Sequence, residues 1–420
     1  MVDVPKSLYE IGEFPPLGEV PSQMYASVIR QDRFGEPKQA FRTEVVDTPK
    51  PGRGQVLVYV MAAGINYNNV WASLGAPIDV IGMRQKMFGA TEDFHIGGTD
   101  GSGVVWAVGE GVKGVKVGDE VIMSGAQWDE QAADVRLGAN PLWSTSLQAW
   151  GYETNYGSFA QYALVDEYQC HPKPASLSWE NAGSFIVTAA TAYRQLCGWE
   201  PHTVRPGDPV LIWGGAGGLG SMAIQIVRYR GGIPIAVVSD EERGRFCMEL
   251  GAEGFINRKE FDHWGRLPDV TDTAATEAWS AEARRFGKKI WEILGERRAP
   301  RIVLEHSGQD TLPTSMFVCD YGGMVAICGG TSGYNGDLDL RYLWMRSKRL
   351  QGSHGSDTAQ NREIISLVGS GRIDPCVTYC GTFEDIGPAH QMLHDNAHPA
   401  GNMTALVNAP ERGLTSFARP

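Results

Sequence analysis

The sequence predicts an α/β protein in which a small glycine-rich β-barrel is joined to a doubly wound parallel sheet. Three observations predict it. Residues 95–123 (HIGGTDGSGVVWAVGEGVKGVKVGDEVIM) break short valine runs with turn residues at close intervals, as a small barrel requires. From near Ser178 onward, apolar runs of strand length alternate with helical periods, which marks a parallel sheet covered on both faces. One of those runs, PVLIW at 209–213, leads straight into a glycine turn and then a helix.

Taken in order, residues 1–50 show little period before and after one expected edge strand at 24–30. Residues 55–62 (QVLVYVMA) alternate and are rich in strand formers. Residues 125–157 read as a long polar loop that returns through WGYETNYGSFAQYALV. In the second region PVLIW precedes a helix through MAIQIVRYR, and PIAVVS (234–239) precedes a helix ending near Leu250. RIVLEH (301–306) and GGMVAICGG (322–330) continue the series, and a helix at 361–369 leads back into β-like sequence. The last segment is expected to rejoin the barrel. The boundaries are then 1–180 with 357–420 for the barrel domain and 181–356 for the sheet domain.

Composition narrows the class. With 420 residues, 42% hydrophobic and 20% charged, the chain buries a substantial core and suits two or three domains. A net charge of −12 argues against general nucleic-acid or anionic-membrane binding and leaves phosphates to local basic patches. No apolar run reaches the roughly eighteen residues a bilayer needs, and the proline-broken start has no signal-peptide stretch. A cytoplasmic protein is expected. The seven cysteines (Cys170, Cys197, Cys247, Cys319, Cys328, Cys376, Cys380) contain no CxxC pair. They read as reduced thiols, neither disulfide nor zinc framework.

The glycine turn carries the first chemistry. Gly215, Gly217 and Gly220 form GxGxxG within Gly214, Gly215, Ala216, Gly217, Gly218, Leu219 and Gly220. Such glycines permit a tight turn, close approach of backbone to pyrophosphate, and close packing of helix on strand. The helix N-terminus offers open N–H groups to phosphate. After the second strand, Ser239 with Arg243 points to the 2′-phosphate of NADP, whereas Asp240 is the kind of residue that favours NAD. Zinc chemistry would need cysteine, histidine and carboxylate ligands on one open site. Asn66, Tyr67, Asn68 and Asn69 follow the first barrel strands with no cysteine, and His95 beside Glu92 and Asp93 reads as a turn histidine. No metal is expected. Hydride transfer without zinc implies an acceptor such as a double bond conjugated to a carbonyl.

Four longer strings are more specific: NYNNVWASLG (66–75), WGYETNYGSFAQ (150–161), SDEERGRFCMELGAEGFINRKEFDHWG (239–265) and RYLWMRSKRLQGSH (341–354). With PHTVRPGDPVLIWGGAGGLG and HPAGNMTALVN they resemble the crotonyl-CoA carboxylase/reductase family, within the zinc-independent medium-chain dehydrogenase/reductase superfamily. The resemblance spans roughly residues 5–408. It implies a GroES-like β-barrel catalytic domain and a Rossmann cofactor domain. It also implies reduction of a 2-enoyl-CoA by NADPH with capture of CO2 to give an alkylmalonyl-CoA. Hydride at the β-carbon leaves an enolate nucleophilic at the α-carbon, so a pocket that holds CO2 and excludes water decides between carboxylation and protonation.

By resemblance Asn68 is the amide that holds CO2, Tyr152 and Glu153 form the next wall, and His354 faces them. Asn66 and Asn69 leave the choice of asparagine open, and Asn68 could instead cap a helix starting near Val70. Gly215, Ala216, Gly217, Gly218, Leu219, Gly220, Ser239 and Arg243 would bind the cofactor. Arg341 and Tyr342 would hold the CoA nucleotide with help from Arg284. The cations come from ARRFGKK (Arg284, Arg285, Lys288, Lys289) and RYLWMRSKR (Arg341, Arg346, Lys348, Arg349). A homotetramer built as a dimer of dimers is implied, and neither nucleic acid nor membrane is expected as partner.

Three departures stand out. Gly355 follows His354 where the family commonly carries phenylalanine, which suggests an acyl pocket enlarged for longer or branched chains and a product feeding polyketide extender-unit supply. Gly215 and Ala216 stand where the family tends to have alanine and serine, and Tyr321 where some members carry lysine. Two other readings compete. One is a plain enoyl-CoA or acrylyl-CoA reductase that only protonates the enolate. The other is a non-catalytic quinone-oxidoreductase-like binding protein.

Overall fold

A computed structural model describes residues 6–417. The extreme ends, 1–5 and 418–420, are parts of the expected 1–180 and 357–420 segments that lie outside the described residues. The chain divides into two compact units. One takes residues up to 187, 355–371 and 375 onward; the other takes 188–354 and 372–374.

In the first unit the strand Gln55–Ile65 is the hub. Ten of its eleven residues are buried, because partners lie along both of its edges. It pairs antiparallel with Gly101–Val108, Tyr162–Asp166 and the late strand Asn402–Leu406, with Tyr59 opposite Tyr162 and Thr404 opposite Gly64. That bilateral pairing explains why its apolar run continues beyond the alternating stretch read from the sequence. Glu120–Met123, Cys170–Pro172 and Val377–Gly381 extend the same seven-stranded sheet. Its core holds Trp106, Trp150, Phe159, Tyr59 and Tyr162, all fully buried.

A second sheet corrects one expectation. Gln23–Arg30 is the middle strand, between Arg42–Asp47 and Phe94–Ile96, and is not an edge. Residues 42–47 show mostly exposed positions, so no apolar run announced that partner. The segment 125–157 also contains more order than a polar loop. Ala126–Gln127 pairs with Gln148–Ala149, and Trp128 stacks on Tyr168 at 4.1 Å.

The second unit is a six-stranded parallel sheet. Its spatial order is Gly254–Asn257, Ile233–Val238, Pro209–Trp213, Ile302–Glu305, Met324–Ile327 and Arg349–Gly352. In chain order that is 3-2-1-4-5-6, a doubly wound topology whose order reverses beside Pro209–Trp213. The apolar runs are continuous because helices cover both faces. The longest helix, Thr273–Leu294, buries Trp279, Ala283, Phe286 and Ile290, a stripe at helical spacing. Asp272 caps its start by accepting from the Ala275 N–H, and Gly295 ends it at φ +68°. Sequence reading registered only this helix's charged face, because ARRFGKK masks the sparse apolar stripe.

Among the described residues no helix is long and apolar enough to cross a membrane, and none of the seven cysteines forms a disulfide.

Candidate active site

The strand Pro209–Trp213 ends in a turn that divides its tasks among four glycines. Gly214 sits in the left-handed region at φ +58°, where a Cβ would also overlap the His306 imidazole. Gly215 lies against Ala236 and Cys247, and a Cβ there would come within 2.7 Å of the Ala236 Cβ. A Cβ on Gly220 would overlap the Gly214 carbonyl and approach Gly215 Cα to 2.6 Å, so this glycine lets helix and strand close together. Gly217 differs. A Cβ there meets only Gly214 O, at an ordinary 3.5 Å, so nothing in the protein's own packing demands glycine. Gly217 is the N-cap of Gly218–Tyr229, whose first-turn N–H groups lack intrahelical partners. A glycine required by no internal contact, next to open amides, suits the close approach of a phosphate.

At the end of the next strand the NAD-or-NADP ambiguity narrows. Asp240 caps Glu241–Glu249 by accepting from the Arg243 N–H at 2.9 Å. Its other oxygen accepts from Ser239 Oγ at 2.9 Å and lies 3.5 Å from Arg243 Nε. The Arg243 N–H holds this carboxyl below its ordinary range. Asp240 is thus committed to the helix start, while Ser239 and Arg243 stand at the sheet's carboxyl end. His306, one residue past Ile302–Glu305, puts Nε2 3.1 Å from the Trp213 carbonyl, and burial lowers its pKa.

Beneath this edge lies a buried glutamate that sequence reading passed over. Glu305 Oε1 accepts from the N–H groups of His306, Ser307 and Gly308 and from Thr311 Oγ1. Its Oε2 accepts from Ser315 Oγ, which in turn accepts from the Trp213 indole. A glutamate closing the apolar run RIVLE was the available signal, because a buried carboxylate requires such partners.

His354 stands two residues past the strand Arg349–Gly352, on the same carboxyl edge of the parallel sheet as the glycine turn, Ser239 and His306. Ligands of doubly wound sheets bind along that edge. Ser353 is anchored by donating its N–H to Ile327 O at 2.8 Å, and His354 itself is exposed. It is not a satisfied core histidine.

The first unit holds Asn68, Tyr152, Glu153 and Gly355. Helix Asn68–Leu74 starts at Asn68, with Tyr67 as N-cap and Gly75 ending it at φ +64°. Asn68 is therefore not the cap of a helix beginning at Val70. Its Oδ1 accepts from the Asn69 backbone N–H at 3.0 Å and from Asn69 Nδ2 at 3.2 Å. Asn69 is fully buried and its Oδ1 accepts from the Gly98 N–H at 3.4 Å. Asn66 spends its Nδ2 on Asp100 at 2.9 Å. Asp100 is buried and also accepts from the Val187 N–H; burial pushes its carboxyl up to about 7. Among the described residues, Asn68 is the one of the three asparagines whose amide nitrogen carries no hydrogen bond.

The turn bearing Glu153 packs against the same glycine pair that Asn69 touches. A Cβ on Gly151 would overlap Gly98 O, and one on Gly157 would overlap Gly97 O. Ser158 and Phe159 donate their N–H groups to Gly98 O and Gly97 O at 3.1 and 3.0 Å. Gly97 and Gly98 thus seat both the Asn68–Asn69 corner and the Glu153 turn. Glu153 is half-buried, and its Oε2 accepts from the Ala149 N–H at 2.6 Å, so it is not a loose surface charge. Tyr152 packs on the barrel core.

His95 is corrected. It lies fully buried in Phe94–Ile96, and the Arg84 guanidinium meets its Nδ1 at 2.9 Å. Burial drives its pKa well down, so it is a neutral core acceptor and not a turn histidine. Among the described residues no group of three or more His, Cys, Asp or Glu could hold a metal ion.

The cations separate into engaged and available ones. Arg285 pairs with Glu282 at 2.6 Å and lies over Phe261, and Lys289 is 3.8 Å from Glu260 and Glu292. Arg284 and Lys288 are exposed and form no ion pair among the described residues. In the second cluster Lys348 is buried, donates to Met316 O, and is pushed down to about 8 by burial. Arg349 donates to the carbonyls of Trp199 and Glu200. These two serve the fold. Arg341 is held by Asp339 through Nε and Nη2, and Arg346 lies over the Tyr321 and Tyr342 rings.

A barrel unit and a 3-2-1-4-5-6 sheet with this glycine turn define a medium-chain dehydrogenase/reductase. The alcohol dehydrogenase GroES-like domain model matches residues 52–175 and the zinc-binding dehydrogenase model residues 218–370. The chain belongs to the crotonyl-CoA carboxylase/reductase family. It is 48% identical over 417 residues to the crotonyl-CoA carboxylase/reductase of Cereibacter sphaeroides, covering 99% of this chain and 95% of that one. A solved crotonyl-CoA carboxylase/reductase, AntE in complex with NADP, is 67% identical with TM-score 0.94, covering 97% of this chain and all of the other. The 2-octenoyl-CoA carboxylase reductase CinF, solved with NADP and 2-octenoyl-CoA, is 35% identical with TM-score 0.86, covering 95% of this chain and 91% of that one.

Proposed function

We propose that this chain catalyses the NADPH-dependent reductive carboxylation of a 2-enoyl-CoA to an alkylmalonyl-CoA. One observation carries the reading. The Asn68 amide keeps its oxygen occupied and its N–H groups available, on a corner seated against the glycine pair that also seats the Glu153 turn. An N–H donor suits an oxygen of CO2, and it suits the carboxylate oxygen that forms as the new carbon–carbon bond develops.

Gly217 and the first-turn amides of Gly218, Leu219 and Gly220 would hold the pyrophosphate, with Gly215 and Ala216 shaping the turn and Ser239 and Arg243 taking the 2′-phosphate. NADPH bound there supplies the hydride that leaves the thioester nucleophilic at its α-carbon. Asn68 orients CO2 toward that carbon. Glu153 and Tyr152 are assigned to the wall beside Asn68, partly through water, and His354 to the reaction from its place at the carboxyl edge of the parallel sheet. Arg341, fixed by Asp339, and Tyr342 hold the CoA nucleotide, with Arg284 available to a phosphate. The NADP complex of AntE and the CinF complex with 2-octenoyl-CoA support this cofactor and substrate class.

Asn68→Leu and Glu153→Ala are each expected to lower the carboxylated share of product about ten-fold while NADPH oxidation continues, a loss on the order of one charge-assisted hydrogen bond. Mass analysis of products at fixed dissolved CO2 reads the partition. Wild-type partition in both variants contradicts the roles assigned to Asn68 and Glu153.

Gly355 bears on acyl length. It adopts φ +65°, and a Cβ there would meet the Ala126 Cβ at 3.5 Å and Leu142 Cδ2 at 3.6 Å, both ordinary contacts. Ala126 and Leu142 therefore border Gly355 at ordinary contact distance. We expect kcat/KM for 2-octenoyl-CoA to equal or exceed that for crotonyl-CoA. A strong four-carbon preference rules against the enlarged pocket.

A further inference from the structure

Taking Asn68 as the CO2 anchor, as proposed above, we infer that Asn69 is a positioning residue that fixes which end of the Asn68 amide faces the substrate.

The argument starts from backbone donors, whose direction is unambiguous. An N–H can only donate, so the Asn68 side-chain atom 3.0 Å from the Asn69 N–H is an oxygen. The same logic applies one step back. The Asn69 side-chain atom 3.4 Å from the Gly98 N–H is also an oxygen, so its other end is the NH2 group. That NH2 group meets the Asn68 oxygen at 3.2 Å. A directed series results: the Gly98 N–H donates to Asn69 Oδ1, Asn69 Nδ2 donates to Asn68 Oδ1, and Asn68 Nδ2 remains to donate outward.

Packing holds the series in place. Asn69 is fully exposed to no solvent, at 0% accessibility, and a Cβ on Gly97 would overlap its Oδ1. Glycine at 97 is what lets this amide sit against the backbone. Gly98 in turn receives the Ser158 N–H on its carbonyl, which ties the series to the turn that bears Glu153.

Orientation matters because the two ends of an amide select different guests. The NH2 end binds an oxygen of CO2 and stabilises the carboxylate that develops. The oxygen end repels CO2 oxygens and binds water, the proton source for the competing reduction. A flip of Asn68 would thus convert a CO2 anchor into a water anchor without changing its position.

Asn69→Asp keeps the volume and the acceptor for the Gly98 N–H, but at pH 8 it turns an acceptor toward Asn68 Oδ1. Asn69→Ala removes both bonds. For Asn69→Asp we expect KM for CO2 to rise roughly ten-fold and the reduced, uncarboxylated share to rise with it, and a smaller rise in Asn69→Ala, about three-fold. The kcat for NADPH oxidation should fall less than the affinity for CO2. A residue that mattered only to packing would show the reverse order, with alanine harsher, and would lower kcat and melting temperature together. If Asn69→Asp does not fold, the split between KM for CO2 and kcat in Asn69→Ala decides. Wild-type KM for CO2 in the folded variants overturns the inference. Asn68→Ala run in parallel separates the two ideas. If it shifts the partition and the Asn69 variants do not, positioning by Asn69 fails alone; if it does not shift the partition, the CO2-anchor reading fails and the inference falls with it.

Discussion

Gly220→Val is expected to weaken NADPH binding by on the order of a hundred-fold, the largest loss from any single change in the cofactor turn. A Cβ there would overlap the Gly214 carbonyl and come within 2.7 Å of the Gly215 carbonyl carbon. Relief requires either the helix Gly218–Tyr229 to move off the strand or the turn to change shape. Overpacking typically costs about 1–3 kcal/mol, a contact this close falls at the upper end, and every 1.4 kcal/mol is about ten-fold in affinity. Fluorescence titration with NADPH measures it. Gly217→Ala is the control, since the added methyl meets protein only at 3.5 Å. Any loss in that variant is then borne by the ligand's approach. Wild-type affinity in Gly220→Val contradicts the described packing.

Glu305→Ala is expected to destabilise the sheet unit by about 3–5 kcal/mol, because three backbone N–H groups and the hydroxyls of Thr311 and Ser315 lose their acceptor in a dry interior. For a unit of this size that corresponds to a fall of roughly 10 °C in melting temperature. Glu305→Gln keeps one acceptor oxygen for the amide cluster and is expected to lose less than half as much. The loop that Glu305 gathers carries His306 beside the Trp213 carbonyl, so the alanine variant should also weaken cofactor binding. Calorimetry with and without NADPH separates the two effects. Equal melting of wild type and Glu305→Ala contradicts the network.

Much of this was legible in the residues, for physical reasons. A glycine turn between an apolar strand and a helix has few structural solutions, so 209–229 could be read locally. Strands buried on both faces lose their alternation, so the parallel sheet could be read from PVLIW and PIAVV. What escaped depends on partners distant in sequence. Nothing in the string NYNN says which asparagine keeps its N–H groups; that is decided by Gly98, 29 residues beyond Asn69, and by Asp100, 34 beyond Asn66. His95 looked like a turn residue because its neighbours Glu92 and Asp93 are acidic, whereas the Arg84 side chain and the strand pairing with Gln23–Arg30 settle its burial. Lys348 and Arg349 looked like phosphate ligands because charge alone cannot distinguish a cation that faces a ligand from one spent on carbonyls. The middle position of Gln23–Arg30 was hidden because its partner Arg42–Asp47 is mostly exposed.

Carboxylation itself is tested most directly by the mass of the wild-type product formed from an enoyl-CoA and NADPH in isotopically labelled bicarbonate. Coupling of one labelled carboxyl to each NADPH consumed is the predicted result, with the unlabelled saturated acyl-CoA appearing only when CO2 is withheld. Saturated acyl-CoA as the sole product at high dissolved CO2 would contradict the account.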